Sequence, residues 1–256
     1  MRVLVLFAHP VETSFHAALH RAMVDALRRA GHEVDDCDLY AEGFEPVLSR
    51  EERLHYHDLS INCRPVESQV DRLLRAEALV IMAPVWNFGF PAILKGWFDR
   101  VMLPGVSFVM RDGRAYPNLQ HIRSLTAVVS YGGTRWASLL MGDPPRKLVQ
   151  RWLRGLIRPW APVRYLALYG MNRATDADRD AFLARVVGAA VTLRSPVEGS
   201  CPGFGLVLSM FHICSGSCTR CRQADRLRDR EAGDGALMDR TKCDSHLPPA
   251  PSSPSS

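Results

Sequence analysis

The stretch 80–101, VIMAPVWNFGFPAILKGWFDRV, constrains the fold more than any other part of the chain. Residues 78–83 are apolar with no helical period, which is how a strand buried on both faces reads. Pro84 is expected to end that strand, leaving Val85, Trp86, Asn87, Phe88, Gly89 and Phe90 as a loop. Pro91 then suits the first turn of a helix, where a missing N–H costs nothing. Ile93, Leu94, Trp97, Phe98 and Val101 fall on one face of that helix. In an open parallel sheet, ligands bind at the carboxyl ends of strands, beside a topological switch. An aromatic, apolar loop at that place suits a flat, partly apolar ring, although packing beside a helix start would explain the same aromatics.

The chain starts with a second strand of the same kind, RVLVLFA at 2–8, closed by His9 and Pro10. Ser14 reads as the N-cap of a helix over 15–29, with Gly31 as its stop. Residues 32–39 alternate as an outer strand would. Strand, helix and strand together span roughly 35 residues, the size of a right-handed βαβ unit. The loop 9–14 has no G-x-G-x-x-G pattern. It offers instead the hydroxyls of Thr13 and Ser14 and the backbone N–H groups of a helix N-terminus, an anion site by geometry and dipole. A cap and nothing more is the plainer reading of Ser14.

Further along, Ser49 opens a short charged helix, and 66–76 is helical with Val70, Leu73 and Leu74 inward. The segment 103–117 is irregular; its Asp112-Gly113 pair suits a tight hairpin turn, and so long a connection could serve as a lid or a dimer contact. SLTAVVS at 124–130 is the fourth strand and runs into Tyr131, Gly132, Gly133 and Thr134. Two glycines there permit a close backbone approach or a positive φ. Residues 147–157 form an amphipathic helix and 163–169 the fifth strand. The last core helix starts at Thr175, with Asp178 three residues on. Five strands alternating with helices predict a doubly wound α/β sandwich on a parallel sheet of order 2-1-3-4-5. The loops after strands one, three and four then converge on one edge.

The core has an apolar fraction to match, 47% of the chain overall. The formal charge of +5 is spread out, and Arg146, Lys147, Arg151, Arg154 and Arg158 at helical spacing read as a solvated face, not a nucleic-acid stripe. No apolar run reaches the roughly 20 residues of a membrane span, and no secretory leader is evident. With only Cys37 and Cys63 in the first 194 residues, a reducing cytoplasmic setting is expected.

These motifs resemble the flavodoxin-like NAD(P)H:quinone oxidoreductases, including the bacterial drug-activity modulators and the ancillary quinone reductases of potassium efflux systems. Ala8-His9-Pro10 with Thr13-Ser14-Phe15 is similar to the family's first loop, and Gly132-Gly133 to its third. Trp86 to Gly89, with Pro91-Ala92-Ile93-Leu94-Lys95-Gly96-Trp97-Phe98-Asp99-Arg100-Val101, is similar to its most specific motif. The resemblance implies a non-covalent flavin, FAD before FMN, with NADPH or NADH as hydride source and a quinone as acceptor. His9, Thr13, Ser14, Phe15 and His16 would lie along the phosphates. Pro84, Val85, Trp86, Asn87 and Phe88 would bracket the ring system, and Ser130, Gly132 and Gly133 would meet its pyrimidine edge. The flavin would carry the chemistry, with no catalytic side chain and no metal. A homodimer is implied by the resemblance alone. His16 departs from the family's usual asparagine. The family's tyrosine and histidine downstream of the glycine pair have no match where Trp136, Ser138 and Asp143 stand.

Two other readings remain open: an FMN-dependent azo- or nitroreductase of the same fold, and a flavin-binding regulatory subunit of a membrane transporter. The flavodoxin-like domain is expected over 1–194. Residues 195–256, rich in Pro and Ser and holding Cys201, Cys214, Cys218, Cys221 and Cys243, read as a loose or disordered tail.

Overall fold

The computed structural model describes residues 1–193 of the 256-residue chain, so the expectations for the tail lie outside the described residues. The chain runs β1 (Arg2–Phe7), α1 (Phe15–Arg29), β2 (Glu33–Asp38), α2 (Arg50–Leu54), α3 (Glu67–Arg75), β3 (Ala78–Val85) and α4 (Ala92–Val101). A hairpin of β4 (Phe108–Arg111) and β5 (Arg114–Pro117) follows, then β6 (Ser124–Tyr131) and α5 (Arg135–Leu140). The helical stretch α6 (Pro144–Lys147) and α7 (Arg154–Leu156) is wound wider, as π-helix, over Leu148–Leu153 between them. β7 (Val163–Leu168) and α8 (Asp176–Val191) complete the described chain. The parallel sheet is five-stranded in the order β2-β1-β3-β6-β7, equivalent to the expected 2-1-3-4-5.

Alternation along each strand explains the two helical layers. Leu4, Leu6, Leu79, Ile81, Leu125 and Ala127 point to one face, where α3 and α4 cover them with Val70, Leu73, Leu94, Trp97 and Val101. Val3, Val5, Phe7, Val80, Met82 and Val128 point to the other, under α1 and α8 with Leu19, Met23, Leu27, Phe182 and Val186. Local signals set the helix ends as expected. Ser14 caps α1 by accepting from the Ala17 N–H at 3.1 Å, and both Ser49 and Thr175 form reciprocal capping boxes, with Glu52 and Asp178. Asp112 and Gly113, with φ of 49° and 72°, turn the β4–β5 hairpin.

Three expectations need correction. Pro84 does not end its strand: β3 runs to Val85, with Pro84 opposite Ser130 and Val85 opposite Tyr131 on β6. β1 has already stopped pairing at Met82, so the edge of β3 facing it has no ladder there for a proline to break. Leu74 is exposed and not inward, because the buried seat next to Leu73 and Val70 goes to Gln69, which accepts from the Trp97 indole N–H at 3.1 Å. Arg146 is not part of a solvated face; it is bound into a polar cluster described below.

Candidate active site

The carboxyl ends of β1, β3 and β6 lie side by side, and two contacts tie their loops together. The His9 ring meets Trp86 edge to face with centroids 5.8 Å apart, joining the first loop to the second. The His16 Nδ1 lies 3.3 Å from the Ser130 Oγ, joining the first turn of α1 to the end of β6 across 114 residues of sequence. The Ala8 N–H donates to the Met82 carbonyl at 3.0 Å and holds the two loop bases together.

Between β3 and α4 the chain makes one tight turn. The Trp86 N–H donates to the Gly89 carbonyl at 3.0 Å, and the Gly89 N–H donates back to Trp86 at 2.9 Å. Asn87 and Phe88 between them have φ of 49° and 59°. Asparagine tolerates that left-handed conformation, whereas a bulky side chain pays roughly 1–2 kcal/mol for it. The strain sets Phe88 out from the surface, 39% exposed beside a 42% exposed Trp86. Backbone outliers of this kind concentrate where a ligand is gripped.

On the first loop, the Val11 N–H donates to the His9 Nδ1 at 3.0 Å, which leaves the His9 proton on Nε2. Burial lowers the His9 pKa below the ordinary imidazole value. Thr13 is exposed, Ser14 is the cap of α1, and Phe15 packs on the core below that helix. His16 is 3% exposed, and its Nε2 is buried without a hydrogen-bond partner among the described residues. Burial, then the neighbouring His9 and His20, push its pKa down to about 3, so the ring is neutral. Its plane stacks near Phe7 and near His9, each centroid 6.2 Å away, and Phe7 in turn stacks on His20 at 4.1 Å. His20 is held by Asp36 of β2 at 2.7 Å.

On the third loop neither Gly132 nor Gly133 has a positive φ. Absence of a side chain serves close approach instead: a Cβ on Gly132 would press against the Asn172 amide, 3.2 Å from its nitrogen. The Gly133 carbonyl accepts from the Gly170 N–H at 2.8 Å, which anchors the loop to the end of β7.

Residue-by-residue reading missed a polar cluster just beyond. Buried Asp143, held at φ 44°, accepts from the Tyr131 hydroxyl at 2.6 Å and the Tyr169 hydroxyl at 3.1 Å. Arg146 donates to Asp143 at 3.0 Å and to the Tyr169 hydroxyl at 3.0 Å, and lies over the Tyr165 ring. The Tyr131 and Tyr165 hydroxyls are 2.5 Å apart, and burial raises both pKa values, so both stay protonated. The signal available was three tyrosines on or beside two adjacent strands: Tyr131 at the end of β6, Tyr165 within β7 and Tyr169 just past it. This cluster pins the segment 132–143, whose helix α5 carries the exposed Trp136, Leu139 and Leu140.

The carboxyl edge of β1, β3 and β6 thus carries two projecting aromatics and one buried nitrogen unpaired among the described residues. Over 35% identity in 144 residues, 49% of this chain and 53% of the other, the sequence is similar to NAD(P)H dehydrogenase (quinone) 1 of Rattus norvegicus. The chain spans about half the length of the curated mammalian relatives it matches. The NAD(P)H:quinone oxidoreductase of Methanothermobacter marburgensis superposes with a TM-score of 0.64 at 31% identity, covering 75% of this chain and 96% of that one. An FMN-dependent NADH-azoreductase of Bacillus anthracis, solved with FMN, shares the fold with a TM-score of 0.61 at 16% identity, covering 75% of this chain and 98% of that one. The model of the flavodoxin-like fold family matches residues 1–187, most of the chain, and the chain therefore belongs to that family.

Proposed function

We propose that the protein is a flavin-dependent oxidoreductase that moves a hydride from NADPH or NADH through bound FAD to a quinone. The observation that carries this reading is the meeting of three loops at the carboxyl edge of β1, β3 and β6, through His9–Trp86 and His16–Ser130. The residues present fit a flavin: exposed aromatics on a strained turn for the ring, and a buried imidazole at a helix N-terminus, its Nε2 unpaired among the described residues, for the phosphates. The quinone reductases to which the chain is similar favour the same activity.

In this reading His9, Thr13, Ser14, Phe15 and His16 hold the phosphates, and the α1 dipole favours their charge. Pro84, Val85, Trp86, Asn87 and Phe88 flank the ring and exclude water from one side. Ser130, Gly132 and Gly133 would hold its polar edge by hydrogen bonds. The flavin supplies the hydride-accepting and hydride-donating chemistry, and no side chain acts as nucleophile. The aromatic and aliphatic side chains of α5, with Leu140 87% exposed and Trp136 79% exposed, suit burial against a second copy of the chain, which makes a homodimer part of the proposal. Among the described residues no helix is long and apolar enough to cross a membrane. A cytoplasmic setting is proposed on the sparse use of cysteine in the fold, Cys37 and Cys63 in residues 1–194.

The test is turnover by purified protein supplied with FAD, NADPH or NADH, and menadione. The expected result is flavin-dependent oxidation of the nicotinamide with matching quinone reduction. Bound flavin with no turnover on quinone, azo or nitro acceptors would overturn the enzymatic reading.

A further inference from the structure

His16 is an unusual tenant for the floor of this site. It lies on the first turn of α1, nine-tenths buried and more, with one nitrogen engaged by Ser130 and the other engaged by nothing among the described residues. A buried polar atom left unpaired is costly, and a site that keeps one is poised to pair it with a ligand. The groups around the ring are all accounted for. His9 faces it from the loop after β1, Phe7 from β1 and Ser130 from β6. His20 lies one turn on along α1, with its Nε2 2.7 Å from Asp36 Oδ1 of β2. Among the described residues no carboxylate is paired directly with His16, and none favours its protonation.

We propose that the His16 Nε2 meets a phosphate oxygen of the bound flavin and takes up one proton as it does so, making retention of the cofactor tighter in mild acid. This rests on the flavin reading above and adds to it a proton linkage at one residue. One proton passes from solvent to Nε2; no covalent bond to the flavin forms. The free ring is neutral because burial and its histidine neighbours disfavour charge. An anion at hydrogen-bond distance opposes that, and at the effective dielectric of a protein site one unit charge offsets roughly three pKa units. Protonation of the ring in the complex is then brought up towards ordinary conditions.

The experiment is a set of FAD titrations of the full chain by fluorescence quenching between pH 5 and pH 7.5, with circular dichroism at each pH to confirm that the fold persists. The diphosphate of FAD carries no titrating proton in this range. For the parent protein Kd should tighten about tenfold from pH 7.5 to pH 5, by the linkage of binding to protonation. His16→Asn should bind FAD with a flat profile, since an amide can donate without titrating. His57→Asn, at an exposed histidine outside the site, should keep the slope. Riboflavin, which has no phosphate, should show no slope in any of the three proteins. A flat profile in the parent, a slope that survives His16→Asn, or an equal slope with riboflavin would overturn the proposal while leaving flavin binding in place. FAD that fails to bind at every pH overturns the flavin reading itself.

Discussion

Gly96→Ala is expected to destabilise the fold by about 2–3 kcal/mol, although alanine is the better helix former. Gly96 lies inside α4, in the middle of the motif that follows the aromatic turn. A Cβ built there would overlap the Pro46 carbonyl oxygen, Cβ and Cα, because the strap around Glu45 and Pro46 crosses directly over the helix. The strap cannot step aside cheaply. The Arg100 guanidinium of α4, 9% exposed, binds the Glu45 carbonyl and reaches the Glu52 carboxylate at 2.7 Å, so helix and strap are cross-linked on both sides of the contact. Gly188 in α8 is the matched control: a Cβ there meets nothing within 4 Å among the described residues, and Gly188→Ala should gain up to about 1 kcal/mol. Urea denaturation of the two variants reads the opposite signs. A Gly96→Ala protein as stable as its parent would show that the strap does not lie on α4.

Lowering the pH from 7 to 5 should remove about 2 kcal/mol of stability from the flavin-free protein through His16 alone. The folded-state pKa of His16 is pushed down to about 3, while an unfolded histidine titrates at its ordinary value. Below that ordinary value the unfolded chain takes up a proton that the folded chain refuses. Stability is therefore unaffected above about pH 7 and is lost progressively as pH falls towards the folded pKa. Other groups titrate in the same window, so the quantity to read is the difference in slope between the parent and His16→Asn. Parallel stability curves for the two proteins across pH 7 to 5 would show that His16 is not buried neutral.

The sheet order, both helical layers and the caps were legible because their signals are local. Apolar runs mark β1, β3 and β6, a 3.6-residue period marks α1 and α4, and Ser14, Ser49 and Thr175 announce helix starts. The convergence of the three loops followed from strand order, and the contacts of His9 with Trp86 and His16 with Ser130 accord with it. What was hidden depends on pairs distant in sequence. Pro84 continues its strand only because β1 ends early, a matter of relative length that neither strand carries alone. Gln69 displaces Leu74 because Trp97 supplies an indole N–H from another helix. Asp143 and Arg146 look like surface charges until Tyr131, Tyr165 and Tyr169 are brought around them by the adjacent strands β6 and β7. Gly96 reads as a flaw in a helix until Pro46 arrives from the strap. Phe88, too, gives no sign in the sequence of a left-handed backbone, which the pair of hydrogen bonds between Trp86 and Gly89 imposes.

The most direct measurement is a crystal structure of the protein saturated with FAD. The ring system is expected in contact with the turn at Trp86–Phe88 on one side and with residues 132–133 at its polar edge, and the phosphates at the start of α1 beside His16. A ring lodged instead in the separate groove lined by Tyr56, Phe98, Phe108 and Trp152, with the three loops bare, would contradict it.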